Sequence, residues 1–525
     1  MCTGLTQCNR DVATGVVTPP LLPGPALAAT NGIVALVADA PISYDATKSG
    51  TLFTNQSATA LTYSIALVGA PAGLSISGGV ISGTPTEPGV ISATLTATDA
   101  RGRTARDDFQ IVVFASGLPT PTLPAVPFQY ADAELPVPAH FTANATLGSA
   151  VASDNAPVTN PITDAGATLG RVLFYDSRLS ANDATSCSSC HVQAFGFSGA
   201  SALSVGFAGA VTTRHSPGLT NVRYYKRGRF FWDERAATLE AQVIGPIQSP
   251  VEMGMSLENL VIKLTATPYY GPLFAAAFGS PAVTSDRIAK ALAQYTRSLV
   301  STASRYDLAY SATGVPNFTA SFTTQEQAGE LLFRTNGCAS CHNTASQVSD
   351  SVHNIGLDAV PADTGAVNSA FKAPSLRNVA VRPRYMHDGR FSSLEEIIEF
   401  FDSGVQPSPG LDIRLRNADG SPRRLNMSAS QKAAVIAYLK TLTDSTFLTA
   451  PRFSSPFVPE VVTLPPTTAP PPVPPTTVPP QTIPNTAVTI QFTAYHPPTV
   501  TVSKGSAITI TNLDNSRHSA TFSSA

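Results

Sequence analysis

Ser186-Cys187-Ser188-Ser189-Cys190-His191 and, farther along, Gly337-Cys338-Ala339-Ser340-Cys341-His342 each spell C-x-x-C-H. This pattern attaches a c-type haem. The two thiols add across the porphyrin vinyl groups, and the adjacent histidine is placed to ligate the iron. Two other chemistries use paired cysteines. Zinc ribbons separate their C-x-x-C pairs by roughly 15–20 residues, whereas Cys190 and Cys338 are far more widely separated. A redox dithiol needs no histidine immediately after the second cysteine, and both copies have one. The spacing therefore predicts two covalent haems, held by Cys187, Cys190 and His191 and by Cys338, Cys341 and His342.

Composition narrows the setting. With 525 residues the chain is long enough for three or four domains. Thirty-three Lys and Arg against 35 Asp and Glu leave a net charge of −2, which argues against nucleic acid or an anionic membrane surface as partner. Charged residues make up 13%, against roughly 25% in an ordinary globular chain. Ser, Thr, Ala, Gly and 44 prolines fill their place, as in extracellular β modules joined by linkers. No apolar run of about 18 residues or more occurs, so no membrane-spanning helix is expected. Covalent haem attachment points to a periplasmic, cell-surface or secreted protein. Residues 1–30 lack the charged and apolar regions of a signal peptide, so a truncated start is expected. Cys2 and Cys8 are left over, either paired with each other or incidental.

In chain order, 1–40 reads as a disordered or linking segment and 41–115 as short alternating strands, an immunoglobulin-like β-sandwich. A Pro-rich linker is expected over 116–160. A mainly helical core follows, divided into 161–315 and 316–447. Within it Thr284-Ser285-Asp286 caps a helix carrying Ile288, Leu292, Tyr295 and Leu299 on one stripe. Thr323-Thr324-Gln325-Glu326 and Ser428-Ala429-Ser430-Gln431 form capping boxes. A Pro/Thr-rich spacer is expected over 448–485, and β alternation returns over 486–525.

Three resemblances sharpen this reading. Gly73-Leu74-Ser75-Ile76-Ser77 through Gly83-Thr84-Pro85 resembles the putative-Ig, cadherin-like repeat of bacterial surface proteins, which implies a spacer or adhesion role. The last 40 residues, ending in Arg517-His518-Ser519-Ala520-Thr521-Phe522, resemble the first half of a cupredoxin. In that family His518 would be the first copper ligand, but the remaining ligands are missing, so copper is not expected in this chain.

The central region resembles the bacterial dihaem cytochrome c peroxidase family, MauG-type enzymes included. Leu169-Gly170-Arg171-Val172-Leu173-Phe174-Tyr175-Asp176 precedes the first C-x-x-C-H. The match continues through Phe231-Trp232-Asp233-Glu234-Arg235, Gln242, Gly245-Pro246 and Val251-Glu252-Met253. It resumes at Pro374-Ser375-Leu376-Arg377-Asn378-Val379 and Tyr385-Met386-His387-Asp388-Gly389. The resemblance implies two cytochrome c-like helical domains and an active site beside the N-terminal haem. Glu252 would be the acid–base carboxylate, Gln242 the distal amide, and Trp232 the relay between haems. Hydrogen peroxide would be the oxidant, with a small cytochrome c or cupredoxin as electron partner, or a protein as substrate in the MauG manner. A non-catalytic dihaem electron carrier is the alternative.

Departures from the family are equally informative. Glu234 stands where a glycine usually follows Trp-Asp. Phe207 occupies the position of the distal histidine of reductively activated peroxidases, which implies an open N-terminal haem. Phe401 occupies the sixth-ligand position of the second haem, leaving Met386 and Met427 as the nearest sulfurs and His387 as a structural residue. His215 replaces the Asn that helps hold an interdomain calcium, which places calcium in question.

Overall fold

The structure, a computed structural model, describes residues 24–56, 60–131, 137–142, 149–342, 344–349 and 351–457, together with strands Val488–Gln491 and Ile508–Thr511. The chain forms two compact units. The first contains the N-terminal β region. Strands Ala26–Leu27 (β1), Ile33–Val37 (β2), Ile42–Asp45 (β3), Phe53–Thr54 (β4), Thr62–Val68 (β5), Leu74–Ser77 (β6), Val80–Gly83 (β7), Gly89–Thr98 (β8) and Thr104–Phe114 (β9) follow in order. One sheet runs β2-β9-β8-β5 and another β3-β7-β6. Alternation builds the core: Ile91, Ala93, Leu95 and Ala97 of β8 point inward with Ile111 of β9, and Ile81 of β7 meets them.

The sandwich begins earlier than the expected residue 41. β1 pairs with β4, and β2 pairs in parallel with β9. The Pro/Ala/Gly-rich look of 1–40 hides Ile33-Val34-Ala35-Leu36-Val37, a five-residue apolar run with three β-branched residues. Residues 1–23, with Cys2 and Cys8, lie outside the described residues.

The second unit carries both C-x-x-C-H motifs and consists of two halves built alike. In the first, helix Asp164–Tyr175, capped by the Thr163 side chain, packs on helix Ser285–Ser298. In the second, helix Thr324–Thr335 packs on helix Ala429–Lys440, and both start with the capping boxes expected. Each crossing passes over a glycine. A Cβ on Gly170 would lie 2.0 Å from the Ala291 carbonyl, and one on Gly329 would lie 1.9 Å from that of Ala434. Tyr295 and Tyr438 take matching places beside them.

The repeat extends to the loops. Asn221 and Asn378, each in Leu-x-Asn-Val, both adopt φ +59° and start a 3-10 turn. Loop Phe230–Ala236 corresponds to Tyr385–Phe391, each closed by a β-bridge. Counted from these bridges and from the helix starts at Leu239 and Leu394, Trp232 corresponds to His387, Glu234 to Gly389, Gln242 to Ile397, and Pro246 to Phe401.

The described residues of the segment expected as a linker over 116–160 are packed instead. Phe141 and Tyr130 are buried, His140 Nε2 bonds Asp307 at 2.8 Å, and the Tyr130 hydroxyl donates to the Arg452 carbonyl at 2.5 Å. Its prolines set the path of a chain whose aromatic anchors do the packing. Residues 448–457, expected as the start of a spacer, are likewise packed. Phe453 and Phe457 are buried, and the Phe453 carbonyl accepts from the hydroxyls of Tyr175 and Tyr295. Of the segment expected to resemble a cupredoxin only Val488–Gln491 and Ile508–Thr511 are described, as a parallel pair. His518 lies outside the described residues.

A candidate dihaem active site

Each C-x-x-C-H forms a single tight turn. Cys187–Cys190 is one helical turn, entered through a Ser186/Ser189 capping box, and the His191 N–H donates to the Cys187 carbonyl at 3.0 Å. Cys338–Ser340 is a 3-10 turn, and the His342 N–H bonds the Cys338 carbonyl at 3.1 Å. The second turn sets Cys338, Cys341 and His342 on the wall of one cavity, and the first brings His191 to the wall of another.

The histidines are prepared as ligands. Nδ1 of His191 lies 2.9 Å from the Phe197 carbonyl, and Nδ1 of His342 lies 3.1 Å from that of Gln347. A carbonyl only accepts, so Nδ1 carries the proton and Nε2 keeps its lone pair for a metal. Burial pushes both imidazoles down to about 4, which keeps them neutral. No disulfide joins the four cysteines of these motifs. The donor set, the fixed tautomers and the surrounding apolar walls fit a covalent haem in each cavity.

The first cavity is lined by His191, Gln242 and Glu252 together. Gln242 projects from helix Leu239–Gln248, which Thr238 caps. Glu252 lies on the loop that follows, in a knot where the N–H groups of Glu252, Met253 and Gly254 all donate to the Ser249 carbonyl at 3.2, 3.2 and 2.9 Å. Burial raises the Glu252 carboxyl above its ordinary value, and Arg235 at the same cavity works against it. The outcome is a carboxyl that holds its proton more tightly than an exposed glutamate does.

Phe207 does not line this cavity. Its N–H donates to the Glu252 carbonyl at 2.9 Å, and its ring lies against Gly254, where a Cβ would come within 2.4 Å of it. Beside it, a Cβ on Gly206 would fall 1.6 Å from the Val251 carbonyl. The segment expected to lack a distal ligand braces the loop that carries Glu252.

Trp232 lines both cavities. Its indole N–H donates to the His215 carbonyl at 2.7 Å, and its own carbonyl accepts from Lys372 N–H at 2.8 Å. Glu234 retains the loop conformation that glycine usually provides. It adopts φ +54°, matching φ +71° at Gly389. That conformation costs roughly 1–2 kcal/mol for a residue with a Cβ, and buried contacts offset it. The Tyr225 hydroxyl donates to the Glu234 carboxylate, and Arg227 pairs with it at 2.9 Å.

The second cavity is lined by Cys338, Cys341 and His342 and, from helix Leu394–Glu399 and the π-turn Phe400–Gly404, by Leu394, Ile397, Ile398 and Phe401. This apolar face carries no ligand. Met386 also borders the cavity and packs with the Phe400, Val405 and Leu411 cluster. Met427 does not border it, and its sulfur accepts from Asn336 at 3.3 Å. The His387 ring stacks on Phe371 with centroids 3.7 Å apart. Sequence reasoning missed Lys372, a buried cation lowered to about 8 by burial and bordering both cavities. It also missed His353, held between Ser349 and Asp412 at 2.7 Å each. Comparing the two halves would have drawn attention to both loops.

The calcium implied by the resemblance is not matched by the residues at that position. The His215 imidazole turns its polar edges on the carbonyls of Ser201 and Ala202 and on Ser198 Oγ.

Two c-type turns, each serving its own cavity in a duplicated helical core, define a dihaem cytochrome. Comparison with known proteins places it more narrowly. The profile of the di-haem cytochrome c peroxidase family matches residues 164–313 and 333–409, and that of the putative Ig domain matches 24–114. The chain is 34% identical to the methylamine utilization protein MauG of Methylorubrum extorquens over 296 residues, 54% of this chain and 80% of that protein. It is 32% identical to the cytochrome c551 peroxidase of Nitrosomonas europaea over 305 residues, 56% and 83% of the two chains. The crystal structure of a MauG-like protein associated with microbial copper homeostasis superposes with a TM-score of 0.51 at 32% identity, covering 60% of this chain and all of that one. The chain belongs to the di-haem cytochrome c peroxidase family, oxidoreductases with two covalently bound c-type haems, and carries an immunoglobulin-like module ahead of the enzyme core.

Proposed function

We propose that the protein reduces hydrogen peroxide in the N-terminal cavity and that Trp232 connects this cavity electrically to the C-terminal one. The observation that supports this most is convergence. His191, Gln242 and Glu252 line one cavity, and Trp232 borders that cavity and its counterpart. When bound through His191, the haem would supply an iron to hold the peroxide and the electrons that break its O–O bond. Glu252 takes the proton from the inner oxygen of a peroxide in the cavity and returns it to the outer oxygen, which leaves as water. The Gln242 side-chain amide holds the peroxide by hydrogen bonding. Arg235, at the same cavity, works against the burial that raises the Glu252 carboxyl.

With Phe207 turned away from the cavity, the N-terminal site reacts without prior reduction, as in the MauG-type version of the chemistry. Electrons come from a small redox protein, a cytochrome c or cupredoxin, or from a protein side chain that is thereby oxidised. The protein works outside the cytoplasm, where c-type haems are attached. Among the described residues no helix is long and apolar enough to cross a membrane. Steady-state peroxide consumption by the holoprotein with a reduced c-type cytochrome tests the reading. Turnover that depends on Glu252 supports it, and a protein that exchanges electrons but never consumes peroxide is a carrier only.

A further inference from the structure

The buried imidazole of His215 occupies the place where the family resemblance implies an interdomain calcium ion. Its side chain is 3% exposed. The Nδ1–H donates to the carbonyls of Ser201 and Ala202 at 3.0 and 3.2 Å, and Nε2 accepts from the Ser198 hydroxyl at 3.1 Å. The ring packs over Gly199, where a Cβ would lie 3.1 Å from Cε1. The backbone of the same residue joins the two halves. Its N–H donates to the His387 carbonyl at 2.7 Å, and its carbonyl accepts the Trp232 indole N–H at 2.7 Å. Ala202 in turn lies against Gly389 of the second half, where a Cβ would come within 2.5 Å of the Ala202 Cα.

A hard dication needs six to eight oxygens at about 2.3–2.6 Å. Here the carbonyls that could serve it already accept from an imidazole N–H. Burial and the positive charges of Arg382 and Arg384 keep His215 neutral, and the same charges oppose a further cation. We propose that His215 is a positioning residue that replaces the calcium ion. It ties the two halves together and fixes the Trp232 indole through hydrogen bonds alone, so that the protein needs no calcium. The inference stands whichever way electrons flow and whether or not peroxide is the substrate.

Trp232 is the sole tryptophan of the chain, so its indole hydrogen-bond band in ultraviolet resonance Raman reports one site. The holoprotein is dialysed against a calcium chelator, and bound calcium is measured beside that band and the haem spectra. The native protein is expected to hold no stoichiometric calcium and to show the same band before and after chelation. His215→Asn is expected to take up calcium when calcium chloride is added and to acquire a chelator-sensitive indole band. A native protein that loses one equivalent of calcium together with a shifted indole band overturns the proposal. So does a His215→Asn holoprotein that ignores added calcium and keeps the native band. The native measurement stands even if the variant fails to fold, and neither readout requires peroxide.

Discussion

The amide N–H of Phe207 donates to the carbonyl of Glu252 across 2.9 Å. Phe207 thus supports the loop bearing Glu252, the proposed proton-transfer group. Removing the support and removing the carboxyl should have different consequences.

Glu252→Gln keeps the size and the backbone knot on Ser249 but removes the proton carrier. Peroxide turnover should fall by about 10²–10⁴-fold, with both haems still attached and their ferric spectra retained. Stopped-flow kinetics with peroxide measures it, and a variant within a few-fold of native would remove Glu252 from the mechanism.

The pH dependence follows from the raised Glu252 carboxyl. Because the deprotonated form must accept the first proton, the bimolecular peroxide rate should climb as pH rises through the Glu252 pKa and then level off. That limb should lie above the ordinary value of 4.5. The same shift favours the folded protein on the acid side and loses that contribution as pH rises through the folded pKa. A pH series of the native protein and Glu252→Gln checks it, since the limb should vanish in the variant.

Buried Asp307 is a structural test independent of the haems. It pairs with Arg377 at 2.6 Å and with His140 at 2.8 Å. Burial alone would raise its carboxyl, but Arg377 and the hydrogen bonds outweigh that and hold it at about 2. Asp307→Asn leaves Arg377 buried without its counter-ion and should cost roughly 3–5 kcal/mol, read as a lowered melting temperature. With an unfolded value of 3.8, the native contribution is fully present above that pH and is lost as pH falls toward about 2.

Much of the site was legible in the sequence because its chemistry is local. C-x-x-C-H fixes two thiols and an imidazole within one turn, and Gln242 and Glu252 lie ten positions apart around one helix end. What escaped was long-range. The packing of the described residues of 116–160 depends on His140 reaching Asp307 and Tyr130 reaching the Arg452 carbonyl, contacts without any local periodicity. Strand Ile33–Val37 gains its identity by pairing with β9, far along the chain. His215 read as a poor calcium ligand, but its hydrogen bonds to Ser198, Ser201 and Ala202 join residues 13–17 positions away and leave no local pattern.

The second haem offers a gain-of-ligand test. Phe401 lines its cavity at the place corresponding to Pro246 in the first half. Phe401→Met should bring a thioether to the iron, raise its reduction potential and yield a low-spin His/Met electron paramagnetic resonance signal. Met386→Leu should leave the native signal unchanged, because Met386 corresponds to Phe231 rather than to a ligand position. Loss of a native low-spin signal in Met386→Leu would identify Met386 as the ligand.

The most direct test of the central claim mixes the fully ferric holoprotein, never pre-reduced, with one equivalent of hydrogen peroxide and follows the haem absorption bands by stopped flow. An open N-terminal site served by Glu252 predicts a prompt change whose rate is first order in peroxide. Bands that remain unchanged until one haem has been reduced would contradict it.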